Sequence, residues 1–451
     1  GRTWKFGGVM KQYFLLWWLF FGQLCSSISF AETEYNHSDL NIRCGQMIDG
    51  YSAEPFYDQL ISIRQGLISN VEPFNKGTSE DDKILNLSAY TCLPGLIDTH
   101  THITERADET NDLSIHYTRS MAEVREISAE NALTTLNAGF TTVRNLGAYI
   151  AWSGRDLRDR INNNEVIGPR IQTSGFYLTI PGGGGDLVIP GIPEDAIPSR
   201  VRQGVSRGPD QFRENAIKAV KGGADVLKIL ASGAVLAYGG VPGSPEMTPE
   251  EITAVVEVAH QAGIKVTAHA HGAQSIKEAI LAGVDSIEHA SLADEEAIKL
   301  AAEHQVAFSM DVYNGDYINA VAEIQGWPEE FLRKNIETTE AQREVFSKAF
   351  SAGVPIIYGT DSAVYPHGDN AKQFVIMVRQ GMTPMQAVQA ASSVAAKFIG
   401  WEDKVGSIKA GLYADIIAVK NNPLEDITAL QNVSVVIKEG KVLKLPLSIK
   451  D

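Results

Sequence analysis

Lysine and arginine are in short supply: 39 of them stand against 55 aspartates and glutamates, for a formal net charge of −16. No basic block interrupts that balance, so neither a nucleic acid nor an anionic membrane surface is an expected partner. The acidity serves solubility and says nothing of the substrate. Long apolar runs are lacking too. The stretch Tyr13 to Leu24 is apolar but too short for a comfortable membrane span. With Lys11 before it and Ser29-Phe30-Ala31 after it, it has the pattern of a secretory signal peptide, with cleavage expected after Ala31. The protein is accordingly expected to be exported to the periplasm and free of the membrane once cleaved; an uncleaved anchor is the alternative. Residues before Met10 read as an upstream extension. Cys25 does not suit a lipoprotein site, because Gln23 and Leu24 stand where small residues are wanted.

Cysteine is rare, with three in 451 residues. Beyond Ala31 only Cys44 and Cys92 remain. An exported compartment permits one disulfide between them, but nothing in the sequence makes them neighbours, and two free buried thiols is the expectation. Phosphate-binding glycine patterns are missing as well. The run "GGGG" (182–185) has no Gly-Lys-Ser/Thr after it, which excludes a phosphate loop. No glycine fingerprint follows the first strand of the middle region, which counts against an open dinucleotide-binding sheet.

What is present is an α/β alternation. Strand candidates recur at "GLIDTHTH" (95–102), "TTVRNL" (141–146), "RIQTSG" (170–175), "DVLKIL" (225–230), "KVTAHAH" (265–271), "DSIEHA" (285–290), "VAFSMD" (306–311) and "VPIIYGTD" (354–361). Segments with helical apolar spacing, several ending in glycine, separate them. Eight such units predict a closed (β/α)8 TIM-type barrel over 95–404. Short strand-like stretches at both ends predict a small β-sandwich built from 32–94 and 405–451, with 1–31 as extension and signal peptide. The Gly/Pro-rich stretch 176–212 is expected as a mobile loop over the site, or else as a disordered insertion.

Polar residues cluster at the ends of these strands. His100 and His102 share one strand face, since side chains alternate with period two. Lys228 lies inside apolar "VLKIL", His269 near the end of its strand, His289 at the end of the next, and Asp361 after the eighth. In a barrel these ends ring one mouth. Imidazoles and a carboxylate suit zinc and similar divalent ions; two histidines and an aspartate can hold one ion, and two further histidines a second. A charged ammonium beside them would be strongly disfavoured. The neutral amine of Lys228 can instead add to carbon dioxide, releasing a proton and leaving an anionic two-oxygen carbamate that could bridge the ions. Taken singly, each residue has a bland reading: a core histidine, a snorkelling lysine, a helix-capping aspartate.

The motifs "PGLIDTHTH", "VLKILASG", "VTAHAHG", "SIEHAS" and "YGTDSA" together resemble the amidohydrolase superfamily, and more narrowly its dinuclear imidazolonepropionase-like branch of Xaa-Pro and Xaa-Arg dipeptidase-type enzymes. The resemblance runs from about residue 39 to 447. It implies two divalent ions, zinc foremost: one held by His100, His102 and Asp361, the other by His269 and His289, with carboxylated Lys228 as the bridge. It implies hydrolysis of a dipeptide peptide bond by a metal-bridging hydroxide, with Asp361 moving the proton. It also implies that Tyr238, ten residues after Lys228, binds the substrate's carboxylate or carbonyl. By strand position His271 and Arg144 face the mouth as substrate-binding or structural residues, with His367 just past it. Acidic loop residues Asp186, Glu194 and Asp195 would favour a basic side chain if they reached the site.

The alternatives are a hydrolase of another amide, cyclic amide or lactone, and a periplasmic metal- or solute-binding protein without turnover. A mononuclear deaminase fits less well, since no glutamate stands just after His269, where Gln274 is found. The expected partner is a small peptide or amide, with a homo-oligomer left open.

Overall fold

The computed structural model describes residues 39–77 and 83–449. The expected signal sequence, its cleavage point and Cys25 lie outside them. The described chain opens with β1 (Leu40–Met47), β2 (Phe56–Arg64), β3 (Leu67–Pro73) and β4 (Ile84–Pro94). Next come β5 (Leu96–Thr101), β6 (Phe140–Asn145), β7 (Arg170–Thr173), β8 (Tyr177–Leu178), β9 (Val226–Leu230), β10 (Lys265–Gly272), β11 (Ser286–Leu292), β12 (Ala307–Ser309) and β13 (Ile356–Ile357). It ends with β14 (Ile416–Val419), β15 (Val433–Lys438) and β16 (Lys441–Lys444).

Strands β5 to β13 form the parallel barrel. Each of the eight expected stretches carries one of its strands, with β7 and β8 as two pieces around the third. Tyr177 of β8 pairs with Lys228 of β9, and the Asp225 amide donates to the Thr173 carbonyl at the end of β7, at 2.8 Å. The ring closes between the chain after β13 and β5. There the Thr99 amide donates to Tyr358 O at 2.8 Å, Asp361 N to His100 O at 2.7 Å and His102 N to Ser362 O at 2.9 Å. Strands β5, β6 and β9 are buried at every position, as expected of strands covered on both faces.

Helices fill the outer ring where the periodicity places them, and local chemistry sets their ends. Ser120 and Glu123 make a capping box before Met121–Asn137. Thr248 caps Pro249–Gln261, which carries Glu250 and Glu251 in its first turn. No helix of the described residues is long and apolar enough to cross a membrane.

Both ends of the described chain build a second sheet, ordered β16-β15-β14-β4-β1-β2-β3. It is one sheet rolled on itself. Beyond its β3 edge, the Ile68 amide reaches Leu412 O and the Ala414 amide reaches Gly66 O, each at 2.9 Å. The roll encloses a core that includes Ile42, Ile61, Leu87, Ile416 and Val435. Free thiols were the expectation, and the structure corrects it: Cys44 and Cys92 form a disulfide. The cause is the parallel pairing of β1 with β4, which sets Cys44 opposite Leu87 and Met47 opposite Cys92 across a bulge. Closing a loop of 48 residues stabilises by about 4 kcal/mol in the chain-entropy model.

The 176–212 stretch is held rather than loose. Asp186 pairs with Arg202 at 2.7 Å, Tyr117 Oη donates to Leu187 O at 2.5 Å, and Arg200 donates to Arg119 O at 2.7 Å. It contributes Tyr177 and Gly184 to the wall of the cavity described next.

Candidate metal centre

The C-terminal ends of five barrel elements converge. His100 comes from β5 and His102 from just past it, Lys228 from β9, His269 and His271 from β10, His289 from β11, and Asp361 from just past β13. Asp361 Oδ1 lies 3.1 Å from His100 Nε2 and 2.8 Å from His102 Nε2. Lys228 Nζ lies 3.4 Å from His100 Nε2. The ring of His289 is 5.2 Å from that of His100 and 4.6 Å from that of His269. Donor atoms of His100, His289 and Asp361 lie within 4.8 Å of one another, as do those of His269, His271 and His289.

Each imidazole has one nitrogen tied outward. His102 Nδ1 is 2.9 Å from Gly147 O and 3.1 Å from Tyr177 Oη. His269 Nε2 is 2.9 Å from Gly233 O, and His271 Nδ1 is 2.8 Å from Ser291 Oγ. His289 Nδ1 is 2.7 Å from Asp311 Oδ1. His100 Nδ1 sits 2.9 Å from Glu288 Oε2, an ion-pair contact without in-line hydrogen-bond geometry. Holding one nitrogen fixes the tautomer and turns the other, with its lone pair, to the centre. That donor set fits divalent ions of the zinc type. Lys228 fits as well: the amine is buried, and no carboxylate of the described residues comes within ion-pair distance.

Backbone strain concentrates here. His289 (φ +73°) and Asp361 (φ +61°) both occupy the left-handed region, which costs of order 1–3 kcal/mol per non-glycine residue and tends to mark functional positions. Asp98 over-determines the second of them. Its carboxylate, fully buried, accepts from Thr360 N at 3.1 Å, Thr360 Oγ1 at 2.6 Å and Asn370 Nδ2 at 2.8 Å. Gly147 carries φ +116°, and a Cβ there would meet the Tyr177 ring at 2.3 Å. Only glycine puts that carbonyl on His102.

Burial governs the protonation states. It pushes His102 and His269 down and His271 down to about 3, keeping lone pairs available. Burial, with Arg144 nearby, takes Lys228 down to about 8 against the pull of Glu288 and Asp361. Burial and Lys228 also work against a charged His100, but the Asp361 and Glu288 carboxylates prevail and take it up to about 9. A cation arriving there would have a proton to displace.

These residues floor a cavity of about 1100 Å³, counted out to its open mouth. His271 lines it, stacked on His289 at 4.6 Å and 15°. Two expected substrate residues are elsewhere. Arg144 lies under the centre, fully buried, with Nη2 2.7 Å from Glu288 Oε1 and Nε donating to Thr99 O at 2.7 Å. Tyr238 is outside the lining, packed on Phe331 at 5.1 Å. Its neighbours explain this: Lys334 draws the carbonyls of Ala237 and Gly239 to its amine at 2.9 and 2.6 Å, turning the residue between them outward. His367 spends Nε2 on Glu105 O at 2.9 Å. Asp186 and Glu194 are paired with Arg202, and neither they nor Asp195 line the cavity. Sequence reasoning passed over Glu288, Asp311, Glu105, His116, Tyr149 and Tyr177. Glu288 had a signal, an acid directly before the expected ligand His289 in "SIEHAS".

The amidohydrolase family model matches residues 91–443. The chain belongs to the amidohydrolase family and is a hydrolase of that superfamily. It is 31% identical over 372 residues to an ochratoxinase of Aspergillus niger, covering 78% of this chain and 76% of that one. It is 24% identical over 428 residues to an imidazolonepropionase of Alkaliphilus oremlandii, with 86% and 88% covered. Among solved structures, a Xaa-Pro dipeptidase with methionine bound in its active site superposes with a TM-score of 0.83 at 36% identity, over 90% of this chain and all of the other.

Proposed function

We propose that the protein is an exported metal-dependent dipeptidase. The observation that carries this is the convergence of His100, His102, Lys228, His269, His289 and Asp361 on the floor of one cavity. Likeness to a Xaa-Pro dipeptidase structure supports the peptide substrate, and the Cys44–Cys92 bond supports an oxidising compartment. In this reading Lys228 is N-carboxylated and the ions are two zincs.

When bound, the ions would supply an activated water and an electrophile for the scissile carbonyl. Asp361 does the proton work. Its Oδ1 faces His100 and His102, which leaves Oδ2, 3.4 Å from Asn314 Nδ2, to take the water's proton and pass it to the leaving amine. His271 presents Nε2 beside His289, where a neutral N–H or lone pair can orient substrate. The match to an ochratoxinase favours a second reading, hydrolysis of another amide by the same residues.

The test is a dipeptide library, varied at its C-terminal residue, against the metal-loaded protein. Release of free amino acid from a subset of dipeptides is expected. Turnover confined to N-acyl amides or lactones would select the second reading. No turnover of any amide would leave a binding protein.

A further inference from the structure

Toward β5 and β6, the cavity wall carries polar groups that the metal centre does not use. The Glu105 carboxylate accepts the Tyr149 backbone N–H at 2.8 Å, and no lysine or arginine nitrogen of the described residues is within ion-pair distance of it. His116 is 4% exposed and lines the same wall. Its ring nitrogens hydrogen-bond to none of the described residues. The ring of Tyr149 lies 4.7 Å from that imidazole, and the ring of Tyr177 6.1 Å beyond. Neighbouring charges are already engaged. Glu109 accepts from both terminal nitrogens of Arg119, Arg106 reaches out to Glu130, and Arg200 donates to the backbone carbonyls of His116 and Arg119.

We propose that Glu105, His116 and Tyr149 form a subsite for a substrate ammonium group. This rests on the dipeptidase reading and names the charge such a substrate carries. A buried carboxylate without a counter-ion is costly, and burial, with Glu109 and Asp361 nearby, pushes the Glu105 carboxyl up to about 8 against the Tyr149 N–H; an arriving ammonium lets it ionise and holds it through a charge-assisted hydrogen bond. Its three N–H donors can also reach the imidazole nitrogen, while the tyrosine faces offer cation–π contact. Burial, with Arg119 and Arg200 nearby, takes His116 down to about 3, so its ring stays a neutral acceptor. The cation has two sources, the α-ammonium of a dipeptide or a lysine-type side chain.

The metal-loaded protein would be assayed with Ala-Phe, N-acetyl-Ala-Phe and N-acetyl-Lys-Phe. A cationic substrate is expected to exceed N-acetyl-Ala-Phe in kcat/KM by at least about 10-fold, carried by KM. Preference for Ala-Phe alone identifies the α-ammonium; preference for N-acetyl-Lys-Phe identifies the side chain. Glu105→Gln is expected to bring the ratio close to one, and His116→Phe, which keeps a ring and removes the acceptor, to lower it in the same direction. Equal rates on all three substrates overturn the subsite while amide hydrolysis stands. Should none turn over, the dipeptidase reading fails, and calorimetry with L-alaninamide against N-acetyl-L-alaninamide decides the subsite alone. Tighter binding of the cation, lost in Glu105→Gln, supports it; equal binding overturns it.

Discussion

Lys228→Ala is expected to lose at least one equivalent of metal and to lower amide turnover at least about 100-fold. The side chain sits on β9 with its amine 3.4 Å from His100 Nε2, buried among imidazoles, where a permanent ammonium would repel arriving cations. In the proposed site it is a carbamate, which would be an anion with two oxygens. Alanine would remove that anion and leave a space that acetate could enter. Added acetate is therefore expected to restore part of both the metal content and the activity. A merely structural lysine would give neither effect. An alanine variant with full metal and full activity would remove the bridge from the account.

Glu288→Ala is expected to be the most destabilising single change at the centre. It strands Arg144, a guanidinium 1% exposed that now pairs with Glu288 Oε1 at 2.7 Å. It also frees His100 Nδ1. Breaking a buried pair from one side costs about 3–5 kcal/mol, and losing the partner of a metal-ligating imidazole costs about 10–100-fold in metal affinity. The two effects separate in the double variant Arg144→Met with Glu288→Leu. Thermal stability should recover, because apolar replacements fill a buried pair's place without stranding a charge. Metal affinity should stay weakened, because His100 Nδ1 still lacks the carboxylate that faces it. Thermal melts and competitive chelator titrations read the two separately. Affinity recovering along with stability would show that Glu288 only fills space.

The barrel and its ring of polar residues were legible because they follow from local periodicity. Buried parallel strands make apolar runs, helices make 3.6-residue patterns, and the barrel brings every strand's C-terminal end to one mouth. His100 and Lys228 could be placed by counting along a strand. Glu288 could not, because side chains alternate along a strand and residues 288 and 289 should face opposite ways. The left-handed backbone at His289 breaks that alternation, and both side chains reach His100. Arg144 was misplaced for a related reason: strand position gives a face but not a depth, and its partner was unknown. Tyr238 depended on a loop pulled over by Lys334, 96 residues on. The Cys44–Cys92 bond depended on pairing β1 with β4, a non-local contact that no local pattern reports.

The central claim is that one site holds two ions. Metal analysis of the purified full chain, after loading with zinc and removal of loosely bound ion, tests it most directly. The account predicts two equivalents per chain, falling together when Asp361 or His289 is replaced. One equivalent or fewer, in a preparation that hydrolyses amides at full rate, would contradict it.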